Sequence, residues 1–268
     1  MTLFKNSFLK IFLIPIIYFL STLLFSFFFY STIGDYLISN TNINLDYLLI
    51  LDFLTYLFSY GLVYLLFLKN EIYSNILKFK NIRLYHFLIL ISIAIFYRVS
   101  IDPLYRIKLI FNQENYPNLT IINYSYIKLT FTVLNVIILV PILEELIFRR
   151  AIIKLLINKR ENIYFAIILS SFLFSLIHIN FLDINFISII NSFLFGIVLA
   201  IIYIKLGLKY SILLHVFSNL IWFLLSINTH YYWELIRELN FDYKYWLICF
   251  ISSGVLIVLL LIISKKRH

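Results

Sequence analysis

Two adjacent carboxylates, Glu144 and Glu145, stand at the end of a long apolar run and are the first residues of this sequence that could do chemistry. A carboxylate in apolar surroundings is costly unless it is paired, so such groups are rare without a function. On a helix, Glu145 and Arg149 are four residues apart and can form an ion pair. Glu144 is rotated about 100° from Glu145 and has no cation at that spacing. The pattern predicts that Glu144 is a buried base, although two charges marking the end of an apolar helix would read the same way.

Three further polar residues, His178, His215 and Asn219, interrupt apolar runs downstream. Each has an ordinary explanation on its own, because a histidine often ends an apolar helix and a His–Asn pair can join two helices. The turn-forming stretch 158–162 lies midway between Glu144 and His178, so an antiparallel helical hairpin would bring these two side chains to the same height. We therefore expect the acid, the two imidazoles and the amide to meet in one reaction centre.

The elements that must position these residues are membrane-spanning helices. Of the 268 residues, 63% are hydrophobic and only 13% are charged, and the mean hydropathy is +0.97. A water-soluble domain of this length could not cover its surface with so few polar groups. At about 20 residues per crossing, the sequence predicts an all-α, polytopic membrane helix bundle with about eight transmembrane helices, near 8–30, 47–68, 84–101, 128–148, 163–182, 185–204, 209–227 and 245–264.

The basic residues support this arrangement and suggest an orientation. The net charge of +9 arises from lysines and arginines at the ends of apolar runs, which is typical of membrane proteins and not of nucleic-acid binding. Most of these bases lie on one side if both termini are cytoplasmic. The single cysteine, Cys249, excludes a disulfide framework. We expect one integral membrane domain over 1–268, in a bacterial plasma membrane and in contact with the lipid bilayer.

At these residues the sequence resembles the family of CAAX proteases and bacteriocin-processing enzymes, which are intramembrane proteases. The resemblance rests on three motifs in the family's order, Glu144-Glu145-x-x-x-Arg149, Phe174-x-x-x-His178 and His215-x-x-x-Asn219. A glycine-bearing span, from Gly196 to Gly207, precedes the third motif as it often does in the family. The resemblance covers a catalytic core of roughly 128–227 and leaves the outer spans unassigned.

The resemblance implies a glutamate-dependent endopeptidase. Glu144 would activate the attacking water, and His178 would help to hold or deprotonate it. His215 and Asn219 would stabilise the oxyanion of the tetrahedral intermediate. The expected substrate is a membrane-tethered protein or peptide, either a prenylated CAAX protein or a bacteriocin leader.

The resemblance also implies that Glu145 and Arg149 position the site. It leaves open whether the site holds a metal. We expect no cofactor and no metal, because the sequence has no H-E-x-x-H motif and Asn219 suits an oxyanion better than zinc. If the chain is zinc-dependent instead, the ligands would be Glu144, His178 and His215.

Two other functions remain compatible with the sequence. A non-catalytic membrane scaffold or bacteriocin self-immunity protein could keep the fold without the chemistry. A proton-coupled transporter would also carry intramembrane Glu and His residues. Transporters often contain internal repeats, and none is visible here.

Overall fold

The computed structural model describes residues 7–31, 48–68, 84–111, 125–158, 160–179 and 185–265. Within these ranges there are helices and no strands, which confirms the all-α fold class. The principal helices are α1 (Ser7–Phe29), α2 (Leu48–Val63), α3 (Leu84–Tyr105), α4 (Tyr126–Asn158), α5 (Ile163–Leu176), α6 (Phe186–Leu206), α7 (Leu208–Ile227), α8 (Thr229–Leu239) and α9 (Tyr243–Lys265).

Seven of these helices, α1 to α4, α6, α7 and α9, are long and apolar enough to cross a membrane. The chain is therefore an integral, multi-pass membrane protein. Its helices satisfy their own backbone hydrogen bonds, as lipid requires. The fifth predicted span, 163–182, differs from expectation because its helix, α5, has only 14 residues. It ends shortly before the polar stretch in which 180–184 lies outside the described residues.

Helix α4 is irregular just where the two glutamates lie. It contains two π-helical segments, Val133–Leu139 and Leu146–Ile153, on either side of a short α-helical segment, Val140–Glu145. The N–H of Val140 bonds to the Asn135 carbonyl, five residues earlier. The next π-type bond would join residue 141 to Val136, but Pro141 has no N–H to donate. The Val136 carbonyl is therefore open to a donor from another helix.

Polar side chains begin several helices. The Ser125 hydroxyl accepts the N–H of Lys128 at 3.1 Å at the start of α4. Asn162 and Asn185 cap α5 and α6 by the same kind of bond. These residues satisfy N–H groups that a helix end leaves without partners, and so fix where each helix begins.

The core lies where α1, α3, α4, α5, α6 and α7 meet, around fully buried residues such as Leu90, Phe148 and Phe174. Helices α5 and α6 pack closely because Gly196 faces Ser171. A Cβ at Gly196 would lie 3.0 Å from the Ser171 Cβ. Small residues at such a crossing allow helix backbones to approach closely in membranes. This contact fixes the position of α5, which carries His178 at its end.

The sequence predicts a short interfacial helix or loop over 228–244, and this stretch contains α8 and a turn. Trp233 of α8 is buried, and the Arg106 guanidinium lies 3.9 Å from the centre of its indole ring. The hydroxyls of Tyr232 and Tyr245 both donate to the buried Asp102 carboxylate. This cluster joins α8 to α3 and α9. The sequence predicts the same kind of connection over 102–127, and residues 112–124 of that stretch lie outside the described residues.

Candidate active site

Glu145 and Arg149 form a buried ion pair at the centre of the bundle. Both side chains are 0% exposed, and Arg149 Nε lies 3.2 Å from Glu145 Oε2. The hydroxyl of Ser211, on α7, donates to the same carboxylate. On the other side, Arg149 Nη1 donates to the hydroxyl of Ser170, on α5, at 3.2 Å. This network ties α4 to α5 and α7, and the pairing agrees with the four-residue spacing in the sequence.

His215 stands between the two glutamates. Its Nδ1 lies 3.2 Å from Glu145 Oε1, and its Nε2 lies 3.7 Å from Glu144 Oε2. An ionised carboxylate only accepts hydrogen bonds, so Nδ1 carries a proton and donates it to Glu145. That bond orients the ring so that Nε2 is directed toward Glu144. The rings of Phe174 and Phe195 pack edge-on against the imidazole, with ring centres 5.9 and 5.4 Å from its centre.

Glu144 differs from its neighbour as the sequence predicts. Its side chain is buried, with 5% of the residue exposed. Its Oε2 makes no hydrogen bond within the described residues. It lines a cavity of about 360 Å³ that His178 also lines. Its ion-pair-distance neighbour among the described residues is the His215 imidazole of another helix, and not an arginine of its own helix.

His178 lies two residues after the end of α5 and lines both cavities of the site. Its Nδ1 lies 2.9 Å from the carbonyl of Phe174, one turn earlier. A carbonyl oxygen only accepts, so Nδ1 is the donor and Nε2 of the neutral ring is an acceptor. The Phe174 ring packs against the imidazole at 4.6 Å. His178 shares one cavity with Glu144 and a second, of about 380 Å³, with His215 and Asn219.

Asn219 lines this second cavity and also holds α4. Its Nδ2 donates to the Val136 carbonyl at 2.8 Å, which is the acceptor that Pro141 leaves open. Each primary amide has two N–H donors, so one such bond leaves the other donor for a ligand. The oxyanion role of Asn219 stays a prediction.

The metal alternative can be compared with the arrangement of the side chains. Among the described residues, no three His, Cys, Asp or Glu side chains are grouped closely enough to hold a metal ion. Glu144, His178 and His215 border the same cavities but do not form a ligand set as they stand.

The part of the chain that carries the candidate site matches a known protein family. Residues 126–221 match the family "Type II CAAX prenyl endopeptidase Rce1-like". The match confirms the predicted resemblance to CAAX proteases. It contains all six candidate residues and supports a CAAX-type intramembrane endopeptidase. The comparisons with curated proteins and with solved structures gave no match.

The Rce1-like segment contains two site residues that were not predicted, Ser170 and Ser211. A signal for both exists in the sequence. Ser170 lies four residues before Phe174 and eight before His178, and Ser211 lies four residues before His215. Each serine therefore shares the helical face of a predicted site residue.

Proposed function

We propose that this chain is a glutamate-dependent, metal-independent intramembrane endopeptidase in which Glu144 is the general base. One observation supports this assignment most strongly. Glu144 is a buried carboxylate with an oxygen that lacks a hydrogen bond, on the wall of a cavity that it shares with His178. A group of this kind can take a proton from a water in a way that a solvated carboxylate cannot.

In the first step, a water in this cavity lies between the Glu144 carboxylate and His178 Nε2. Glu144 takes one proton as the water oxygen bonds to the scissile carbonyl carbon, and His178 accepts a hydrogen bond from the other water proton. The carbonyl π electrons move onto the carbonyl oxygen, which becomes the oxyanion of a tetrahedral intermediate.

His215 and Asn219 are the proposed donors to that oxyanion. Because His215 Nδ1–H is engaged by Glu145, the ring can donate from Nε2 only after it has gained a second proton. Glu144 lies 3.7 Å from Nε2 and is the source of that proton. The oxyanion and its donor therefore form together beside the buried His215 side chain, where such a bond is most effective.

The reaction is completed when His215 passes its second proton on to the peptide nitrogen. The C–N bond breaks, the oxyanion re-forms a carbonyl, and a carboxylic acid, which keeps the other proton of the water, and an amine leave. Glu145 and Arg149 touch no reacting atom and are positioning residues, because they hold His215 against Glu144. Removal of either side chain should alter the orientation of the His215 ring, and any loss of activity should follow from that change.

The proposed substrate is a membrane-anchored polypeptide. The bundle exposes apolar residues such as Leu24 and Phe27 on its outer surface, so a substrate tethered in the same bilayer reaches the protein by lateral diffusion. Prenylated CAAX proteins and bacteriocin leader peptides both fit this description. We further propose a bacterial plasma membrane with both termini in the cytoplasm.

The test is cleavage of a library of membrane-tethered peptides by purified protein in liposomes. The wild type is compared with Glu144→Gln, which is nearly isosteric but cannot take up a proton. Glu234→Gln is the matched control, since Glu234 is half exposed on α8. We expect cleavage by the wild type and the control, with and without a chelator, and cleavage at least about 100-fold slower by Glu144→Gln. Cleavage that is lost with the chelator would overturn the metal-independent mechanism, and cleavage by Glu144→Gln at the wild-type rate would overturn the role of Glu144.

A further inference from the structure

The cavity that contains Glu144 has a second wall, which comes from helices outside the Rce1-like segment. Helices α1 and α2 both lie before residue 126, where the family match begins. Their contribution to the lining includes two apolar residues, Phe19 and Leu23, and is otherwise polar. The six polar residues, which form the polar wall, are Tyr18, Thr22 and Ser26 from α1 and Asp52, Thr55 and Tyr56 from α2. The rest of the lining comes from Val140 and Glu144 of α4 and from Ile177 and His178 after α5.

Two hydroxyl groups of the polar wall make no hydrogen bond within the described residues. They are Tyr18 Oη and Thr55 Oγ1, and both residues are buried, with 3% and 5% exposed. Glu144 Oε2, in the same cavity, is likewise without a hydrogen bond. Buried polar groups normally have partners. The three residues that carry these atoms line one cavity, which favours a ligand that offers both donors and acceptors, as an extended polypeptide backbone does.

The charged residues that line the cavity favour a cationic ligand. Asp52 and Glu144 are both carboxylates, and no lysine or arginine is among the residues described as lining this cavity. Tyr30 donates to Asp52 Oδ1 at 2.9 Å, which fixes the carboxylate at the wall. Acidic groups in apolar surroundings are most favourable beside a cation that also donates hydrogen bonds. A lysine or arginine side chain meets both requirements.

We propose that the polar wall is a substrate subsite which binds a polypeptide segment with a basic side chain near the scissile bond. The Tyr18 and Thr55 hydroxyls bond to the backbone of the segment, and Asp52 binds its Lys or Arg side chain. The proposal rests on the proposed protease function. It adds a preference for basic substrates that comes from α1 and α2, which lie outside the family match at residues 126–221.

The test uses pairs of membrane-tethered peptides that differ only by Lys or Gln at each position flanking the scissile bond. The measured quantity is the ratio of kcat/KM for the Lys and Gln peptides within one preparation. This ratio does not depend on the fraction of protein that is folded. For the wild type we expect a preference for Lys of about tenfold or more at one position, as one charge-assisted hydrogen bond provides.

Asp52→Asn is expected to reduce this ratio to about one, while Glu234→Gln, which removes a negative charge far along the chain on α8, keeps the wild-type ratio. A wild type without preference for Lys, or Asp52→Asn with an unchanged ratio, would overturn the proposal. Binding of the same peptides to Glu144→Gln and to Glu144→Gln/Asp52→Asn separates this proposal from the protease function. A preference for Lys in binding that disappears with Asp52 supports the subsite even if no peptide is cleaved, and in that case only the proposed function fails.

Discussion

The buried ion pair between Glu145 and Arg149 leads to a quantitative expectation for Arg149→Met. This change removes the cation from a carboxylate that is 0% exposed and leaves Glu145 with the hydroxyl of Ser211 and the imidazole of His215. Loss of one partner from a buried pair typically costs about 3–5 kcal/mol. Because two polar contacts remain, we expect a loss near the lower end, about 3 kcal/mol in the free energy of unfolding.

The expectation is tested by a double-mutant cycle with Glu145→Met, measured by reversible unfolding in mixed detergent micelles. Removal of both charges leaves no uncompensated ion, so the double variant should be more stable than the sum of the two single losses predicts. We expect a coupling energy of at least about 2 kcal/mol, in the upper part of the range for residues in contact. The control is the pair His230–Glu234, which is four residues apart on α8 and about half exposed. Its coupling should stay below about 1 kcal/mol.

Additive losses for Glu145 and Arg149, within about 0.5 kcal/mol, would contradict this reasoning. So would a coupling no larger than that of His230–Glu234. In either case Glu145 would not depend on Arg149, and another group would have to hold His215 in place.

Two other predictions concern the positions that hold the site and the helix that follows it. Gly196→Val should destabilise the protein by about 1–3 kcal/mol, because its side chain would overlap Ser171 on α5. Gly61→Val is the control and should have little effect in the same unfolding assay, because a Cβ at Gly61 has no neighbouring atom within 4 Å. Burial, with a smaller contribution from Asp102, raises the pKa of Tyr232 from 10.0 to about 12. The folded state then keeps a proton that the unfolded state loses, so stability should fall between about pH 10 and pH 12, and the fall should be smaller in Tyr232→Phe. An alkaline unfolding profile unaffected by this variant would contradict the buried cluster.

The helical pattern and the local pairing could be predicted from the sequence because both depend on spacing along one helix. The Glu145–Arg149 pair follows from a separation of four residues, and the hairpin of α4 and α5 predicts that His178 lies near Glu144, with which it shares a cavity. The short length of α5 was not predicted, since apolar character alone does not show where a helix ends.

Contacts between distant helices were not predictable in the same way. His215 bridges both glutamates because of how α7 packs on α4, and no spacing rule specifies that packing. The bond from Asn219 to Val136 depends on the π-helical geometry of α4. Pro141 signalled a missing donor in the sequence, but not which group would replace it.

In the proposed mechanism, residues from separate helices act as one unit on a single water. A kinetic double-mutant cycle between Glu144 on α4 and His178 after α5 tests it most directly. Each of Glu144→Gln and His178→Ala should lower kcat at least about 100-fold, and the double variant should be little slower than Glu144→Gln alone, because groups that act together are strongly non-additive. Losses that multiply, or normal turnover by either single variant in a folded protein, would contradict the account.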